Sequence, residues 1–174
     1  MRWFRKPDVA SNEEEAAVEP STPARVAGTT GKDGRVVKEP TETVIDGVTM
    51  VRDFVIEWGP LNVSDPRLAG TDTVVLNADV HRESEGVDIV PQAIALRIEN
   101  DGGSWVGHGT SISRGRGAVP SDEAMNLDTI VLTGAGAYAG LMAYLIVDGT
   151  QDPAVVDGAV LAGKMPPFPE LPSG

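Results

Sequence analysis

The sequence predicts an all-β protein: an eight-stranded antiparallel up-and-down β-barrel with a flexible N-terminal arm, the alternative being a β-sandwich. The 174 residues include 20 glycines and 13 prolines but only 5% aromatic residues, a composition typical of many short strands joined by turns. About seven or eight apolar or alternating runs follow residue 35, separated by turn signals and without a convincing helical pattern. A barrel is favoured because closing a sheet on itself removes its exposed edges.

The chain divides into an arm, a barrel and a tail. Residues 1–34 are rich in Pro, Glu, Ala, Ser, Thr and Gly, so they cannot bury enough apolar surface to offset the entropy of ordering. Residues 35–164 form the predicted barrel, and residues 165–174 form a Pro-rich tail of polyproline type. Trp3 and Phe4 either hang in solvent or dock onto the barrel or a partner as a lid.

The first predicted strands include a tight hairpin. Residues 36–37 form a short strand, and residues 43–45 pair with residues 48–58 through the dipeptide Asp46-Gly47, which suits a two-residue turn. The run at 48–58 is longer than the usual strand of about 5–6 residues, as expected for the bent strands of a small barrel. One face of this strand is expected to carry Met50, Arg52, Phe54, Ile56 and Trp58.

The middle of the chain predicts a turn-rich loop, a strand, a polar loop and a two-stranded hairpin, in that order. These are residues 64–70, 73–81, 82–89, and 92–100 with 104–113. If Asp101 and Gly102 are the turn residues of the hairpin, its inner pairs are Ile98–Trp105, Leu96–Gly107 and Ile94–Gly109. The glycines leave room either for a ligand or for the indole ring. Arg97, Val106 and His108 then point outwards, and a slip by one residue would reverse the faces.

The last part of the barrel is organised around residues 134–144, where three glycines space out small residues and one tyrosine. Apolar strands at residues 127–133 and 141–147 flank this segment, and a further strand follows at 155–161. Glycine suits a connection with positive φ or closely passing backbones. We therefore predict a compact connection anchored by Tyr138 at one end of the barrel.

Composition excludes several classes of function. The net charge of −12 disfavours binding to nucleic acid or to anionic membranes, both of which attract basic proteins. The chain has no cysteine and only two histidines, His81 and His108, which we expect at the surface, so neither a metal site nor a cofactor is predicted. No apolar run suits a secretory signal or a membrane span, and a cytoplasmic location is expected.

Four segments, taken together, resemble a known group of barrels. They are residues 64–71 (SDPRLAGT), 97–107 (RIENDGGSWVG), 136–141 (GAYAGL) and the Pro-Pro-x-Pro ending. The set resembles bacterial relatives of the allene oxide cyclase barrel and of the plant dirigent proteins, over roughly residues 42–170. The resemblance implies an eight-stranded antiparallel barrel with a largely apolar central cavity, and no catalytic residue is carried over from it.

The function implied by the resemblance is control of a flexible, reactive small molecule. Plant relatives close a cyclopentenone ring or direct phenoxy-radical coupling, and bacterial barrel cyclases of similar architecture catalyse intramolecular [4+2] cycloadditions on polyketide chains. We therefore expect a cofactor-independent cyclase of natural product biosynthesis that acts on an apolar polyene or polyketide-like substrate. The alternatives are a non-catalytic ligand-binding or dirigent-type barrel, and a structural domain with a filled interior. A homodimer is the expected assembly.

Four large side chains are the candidates for shaping a substrate cavity: Trp58, Trp105, Met142 and Tyr144. Met142 and Tyr144 share one face of their strand, together with Ile146, and the tyrosine hydroxyl would supply a polar contact. Packing in a solid core is the equally weighted alternative for these residues.

Overall fold

The computed structural model of the protein describes residues 23–84, 86–115, 124–167 and 169. Within these ranges the regular structure is eleven strands and one 3-10 helix, Pro66–Leu68, whose start Asp65 caps. The strands are β1 (Ala24–Thr29), β2 (Arg35–Lys38), β3 (Thr41–Ile45), β4 (Val48–Trp58), β5 (Asn62–Val63), β6 (Thr71–Ser84), β7 (Val87–Asn100), β8 (Gly103–Arg114), β9 (Met125–Gly136), β10 (Leu141–Asp148) and β11 (Val155–Ala162). The predicted all-β class is confirmed.

The strands form one antiparallel sheet, hydrogen-bonded in the order β2-β4-β6-β7-β8-β9-β10-β11-β1-β5, with β3 paired to β4. From β6 to β11 each strand pairs with the next one along the chain, as in an up-and-down meander. Side chains on one face of this curved sheet, such as Ile98, Leu132 and Leu145, form the core together with Leu68 of the 3-10 helix.

The hydrogen-bonded path is open, but the chain brings its two ends together. β2 at one end continues from β1, and β5 at the other end continues from β4. Gly28 pairs with Val63 and Arg35 pairs with Glu57, so these two composite segments run antiparallel side by side. The fold is therefore barrel-like with an interrupted seam. Eight strands of the barrel-like sheet can be counted as β1 with β2, β4 with β5, and β6 to β11. β1 was not among the predicted strands, and the predicted strand at residues 43–45 is β3, an additional edge strand.

Two predicted hairpins are confirmed. Asp46 and Gly47 join β3 to β4 with φ angles of 51° and 81°, the positive values that a two-residue turn of this kind requires. The β7–β8 hairpin has the predicted register, with Ile98 opposite Trp105. Val106, on the outward face of that hairpin, is exposed.

The face predicted for β4 is wrong over part of its length. The register with β6 shifts between Val51 and Phe54, and Asp53 adopts a left-handed φ of 56°. Such a bulge bends the strand and reverses the alternation of its side chains. Met50 and Arg52 consequently lie on a different face from the later residues of β4 that had been grouped with them.

β1 lies within residues 1–34, the range predicted to be a flexible arm. Val26 of β1 is fully buried, and the strand pairs with β11 from Ala24 to Thr29. The segment contains one large apolar residue, too few for its alternation to be recognised from the sequence. The predicted lid residues Trp3 and Phe4 lie outside the described residues. In the predicted tail, residues 165–167 and 169 are exposed.

The loop between β5 and β6 closes one end of the barrel. The indole Nε1 of Trp105 donates a 2.8 Å hydrogen bond to the carbonyl oxygen of Arg67, and its ring stacks on Tyr138 with 5.2 Å between centroids. Leu68, the next residue of the loop, is fully buried. A 2.6 Å ion pair joins the Arg67 and Asp65 side chains, and this hydrogen-bonded contact holds the pKa of Asp65 below its usual value.

Asn100 completes the network at this closed end. Its Nδ2 donates to the carbonyl oxygens of Arg67 and Ala69, and its Oδ1 accepts from the Tyr138 hydroxyl at 2.6 Å and from the Gly102 N–H at 3.0 Å. All four hydrogen-bonding positions of the amide are thus used. Gly102 is required because a Cβ there would lie 2.2 Å from the Tyr138 hydroxyl. Tyr138 anchors the β9–β10 connection, as the sequence predicts.

Removing the Tyr138 hydroxyl tests this network. Tyr138→Phe keeps the ring stacked on Trp105 but removes one of the two hydrogen bonds accepted by Asn100, so we expect the free energy of unfolding to fall by about 1–2 kcal/mol. Urea unfolding monitored by circular dichroism measures the loss. Tyr144→Phe on the exposed face of β10 is the matched control and should change stability by less than about 0.5 kcal/mol. Equal losses in the two variants would contradict the anchoring role.

Candidate ligand cavity

A cavity of about 790 Å³, partly open to solvent, lies inside the barrel-like sheet, and its volume is within the range of about 300–1,000 Å³ typical of small-molecule sites. Its wall is built mainly from side chains of β4, β6, β7, β8, β9, β10 and β11. Residues 30–33, 149–152 and 154, in two connections, also line it. The cavity therefore lies on the concave face of the sheet.

Two rows of inward positions are apolar. The strand registers align each row across β6, β7, β8, β9, β10 and β11. The first row is Val74, Leu96, Gly107, Leu132, Ala143 and Val160, and the second is Leu76, Ile94, Gly109, Ile130, Leu145 and Gly158. Six of these residues line the cavity, namely Val74, Leu76, Ile94, Leu96, Ile130 and Leu145. Burial of a ligand's apolar surface against them would favour binding.

Glycine is required at positions 107 and 109 because the backbone of β9 approaches β8 closely there. A Cβ on Gly107 would lie 1.8 Å from the carbonyl oxygen of Val131, and one on Gly109 would lie 2.4 Å from that of Thr129. Neither residue is part of the cavity wall. The sequence suggested that these glycines make room for a ligand or for the Trp105 ring. The structure gives a different reason, because the backbone of β9 constrains the curvature of β8 at both positions.

The next row, further from the closed end, is polar. Gln92, Ser111 and Asp128 align across β7, β8 and β9. Burial raises the pKa of Asp128, and the Ser111 hydroxyl opposes that shift in part, although it has no well-aligned hydrogen bond to any described residue. Ser113 and Asn126, one row beyond, also line the cavity. This end can bind a polar group or water.

Asp72 also lines the cavity. It pairs with Trp58 of β4 and with Ile98 of β7, in the row that continues to Trp105. Its side chain is 5% exposed, and Oδ1 has no hydrogen-bond partner among the described residues. Burial raises the pKa of Asp72 to about 7, against the opposing effect of the backbone N–H groups of Trp58 and Asp72 itself.

Two carboxyl groups thus belong to the cavity wall, Asp72 on β6 and Asp128 on β9. The row of Asp128 passes through Ser111 and Gln92 and reaches β6 at Ala78. Because the strands of a barrel are tilted and their register is staggered, this offset along β6 is not a distance along the barrel axis.

Of the four predicted cavity residues, the structure places one in the wall. Trp58 lines the cavity, while Trp105 is fully buried in the closed end and packs against protein. Met142 and Tyr144 are wrong as cavity residues because β10 turns its other face inwards. The inward residues of β10 are Leu141, Ala143, Leu145 and Val147. His81 and His108 are exposed, as expected.

The error on β10 has a physical cause. Both faces of this strand are largely apolar, so alternation alone cannot say which one is inside. Tyr144 and Ile146 are partly exposed, at 37% and 42%, whereas Leu145 is 1% exposed. Only the pairing of Leu145 with Ile130 on β9 fixes the choice.

Sequence reasoning missed Asp72 and Asp128. The predicted strand began at residue 73, which left Asp72 in a loop, although its spacing continues the inward series of Val74 and Leu76. Asp128 likewise shares its face with Ile130. A carboxylate on the apolar side of an alternating strand was the available signal.

Other kinds of site have no support in the described part of the chain. No group of three His, Asp or Glu side chains there is arranged to hold a metal ion. No helix in the described ranges has the length and hydrophobicity needed to cross a membrane. Comparison with protein-family models, curated proteins and solved structures found no match to the chain.

The buried Asp72 should make stability depend on pH. Its folded-state pKa of about 7 exceeds the unfolded value of about 3.9, so its proton stabilises the folded state fully below pH 4 and this contribution is lost as the pH rises through 7. We expect the wild type to lose up to about 4 kcal/mol relative to Asp72→Asn between pH 4 and pH 8.

Urea unfolding of both proteins from pH 4 to pH 8 measures this difference. Asp128 titrates in both, so the difference isolates Asp72. Asp101→Asn, in the exposed β7–β8 turn, is the control and should follow the wild type at each pH. Parallel pH profiles for the wild type and Asp72→Asn would show that Asp72 is not a buried, protonated group.

Proposed function

We propose that the protein is a cofactor-independent cyclase that binds an apolar polyene or polyketide-like molecule inside the barrel and promotes intramolecular ring closure. The observation that carries the proposal is the cavity of about 790 Å³, whose wall combines apolar side chains such as Leu76, Ile94 and Ile130 with a smaller set of carboxyl, amide and hydroxyl groups. A cavity lined in this way suits an apolar ligand that carries polar groups.

Ring closure needs little chemistry from the protein. In an intramolecular [4+2] cycloaddition, two carbon–carbon σ bonds form, three π bonds are replaced by one, and the product is an isomer of the substrate. Neither an oxidant nor a leaving group is involved. Holding the reacting ends together can contribute about 7–11 kcal/mol in well-oriented cases, and this is what a shaped apolar wall supplies.

The resemblance to allene oxide cyclase-like and dirigent-like barrels supports the same proposal. Three of the segments that carry it meet at the closed end, through Trp105, Tyr138, Asn100 and the loop containing Arg67. These contacts give a physical reason for the joint occurrence of the segments. Action on a polyketide-like substrate in natural product biosynthesis, within a bacterial cytoplasm, belongs to the proposal.

A non-catalytic ligand-binding or dirigent-type barrel is the second candidate. It is favoured by the chemistry of the two apolar rows, which among the described residues carry no acid, base or nucleophile. Such a barrel would bind the same kind of molecule and release it unchanged, or would only direct a reaction started elsewhere. Binding and turnover must therefore be measured separately.

A homodimer is proposed as the assembly. Ile112, Leu127, Tyr144 and Ile146 are exposed on the outer face of β8, β9 and β10, and Ile112 pairs directly with Leu127. An exposed apolar face of this kind marks an association surface. Since the chain carries a net charge of −12, two copies can meet most readily where apolar side chains replace charged ones.

Filling the chamber should abolish binding. Leu76→Trp adds bulk to the middle of the cavity, and we expect it to weaken binding of cis-parinaric acid, a fluorescent conjugated polyene, at least about tenfold, or 1.4 kcal/mol. Val75→Trp, the neighbouring position on the other face of β6, is the matched control and should leave the affinity within about twofold. Fluorescence titration measures both, and equal effects of the two substitutions would place the ligand outside the barrel.

A turnover measurement distinguishes the cyclase from the non-catalytic ligand-binding barrel. A linear triene tethered to an enone is incubated with the wild type, with Leu76→Trp or without protein, and the isomeric products are quantified by chiral chromatography. The cyclase predicts faster closure to one stereoisomer with the wild type only. Binding of the triene without a change in rate or product ratio would exclude the cyclase and leave the ligand-binding barrel.

A further inference from the structure

Asp72 combines burial with an unused hydrogen-bonding atom. Its side chain is 5% exposed, it belongs to the cavity wall, and its Oδ1 has no partner among the described residues. Buried polar atoms are nearly always hydrogen-bonded, so an exception inside a cavity indicates a group that awaits a ligand. Such a ligand would reach it from the cavity.

The surroundings of Asp72 provide no counter-ion. Its cross-strand neighbours are Trp58 and Ile98, and none of the ion pairs between described residues involves it. On the flanking strands Glu57, Arg97 and Glu99 occupy the alternate positions, which face outwards. The other charged residues that line the cavity are Lys32, Asp33, Arg114, Asp128 and Asp152.

A carboxylate without a counter-ion is energetically unfavourable at this buried position, because burying an unpaired charge costs far more free energy than burying a neutral acid. The neutral acid is therefore the favoured form when the chamber is dry. A neutral carboxylic acid carries one O–H donor. The donor needs an acceptor, and the described residues offer none to Oδ1.

We propose that Asp72, as a neutral carboxylic acid, donates a hydrogen bond to a carbonyl oxygen of the ligand and so fixes the carbonyl end of the molecule at this point of the cavity wall. The ligand is thus an apolar chain that ends in a ketone, lactone or other carbonyl group. The acid acts as a hydrogen-bond donor only, and no bond to Asp72 forms or breaks.

This inference rests on the proposed function, since it requires a ligand inside the barrel, and it adds the polarity and direction of that ligand. A buried acid held neutral can donate to a carbonyl and stabilise negative charge on its oxygen. For an enone, such a hydrogen bond draws electron density from the conjugated double bond. That double bond is the partner of the diene in a cycloaddition, so the same contact would both orient and activate the substrate.

The test compares two dyes that differ only in a carbonyl group. Prodan is a dimethylaminonaphthalene with a propionyl ketone, and its 6-propyl analogue has a methylene group in place of the ketone carbonyl. Affinity for both is measured by fluorescence at pH 5.5 and pH 8.5. Wild-type affinity for prodan should fall by about five- to thirtyfold at the higher pH, since the donating form becomes a minor fraction. Affinity for the ketone-free dye should change less than about twofold.

Substitutions test whether Asp72 causes the pH dependence of prodan binding. Asp72→Asn keeps a donor at every pH, so it should bind prodan without pH dependence, and Asp72→Val should bind both dyes equally. Asp128→Asn should retain the wild-type profile, which distinguishes Asp72 from the other carboxyl group with a raised pKa in the cavity wall. Because the wild-type comparison needs no substitution, a variant that fails to fold does not remove the test.

The outcomes distinguish this inference from the proposed function. If neither dye binds the wild type, or if Leu76→Trp leaves binding of both unchanged, the proposed function fails and this inference fails with it. If both dyes bind in the barrel with the same affinity and pH dependence, the role of Asp72 is wrong while the ligand-binding chamber stands. Tighter binding of prodan at pH 8.5 would likewise overturn the donor role.

Discussion

One indole N–H determines the form of the chamber. Trp105 donates to the carbonyl oxygen of Arg67 and thereby fixes the loop that closes one end of the barrel. A hydrogen bond buried with its donor at zero exposure cannot be replaced by water, so its loss would leave both groups unpaired. The stack on Tyr138 and the four bonds of Asn100 hold the same loop. A barrel closed at one end and lined by apolar rows becomes a cup, which suits retention of one molecule.

The sequence predicted local structure better than it predicted the site. Turn dipeptides determine short-range geometry, so Asp46-Gly47 and the register of Ile98 with Trp105 were predictable. The orientation of Tyr144 was not, because β10 has two apolar faces and only pairing with β9 chooses between them. A single-residue bulge at Asp53 also leaves no clear mark in an alternating pattern. β1 was missed since Val26 is its one large apolar residue.

The carboxyl groups of the cavity wall carry a cost in stability. A carboxyl group in an apolar wall, such as Asp72, destabilises the folded state at neutral pH compared with a hydrocarbon of the same size. Desolvation of this type tends to concentrate at functional sites. The fully satisfied hydrogen-bond network around Asn100, by contrast, stabilises the closed end. Stability and binding are thus assigned to distinct residues.

The central claim is that the apolar rows enclose a chamber that admits a ligand. Methyl NMR of the valine, leucine and isoleucine groups, recorded during titration with cis-parinaric acid, tests it most directly. The account predicts that the methyl signals of Leu76, Ile94 and Ile130 shift with saturation, while those of the outward Val106 and Ile146 stay in place. Shifts confined to the outward methyl groups, or none at all, would contradict it.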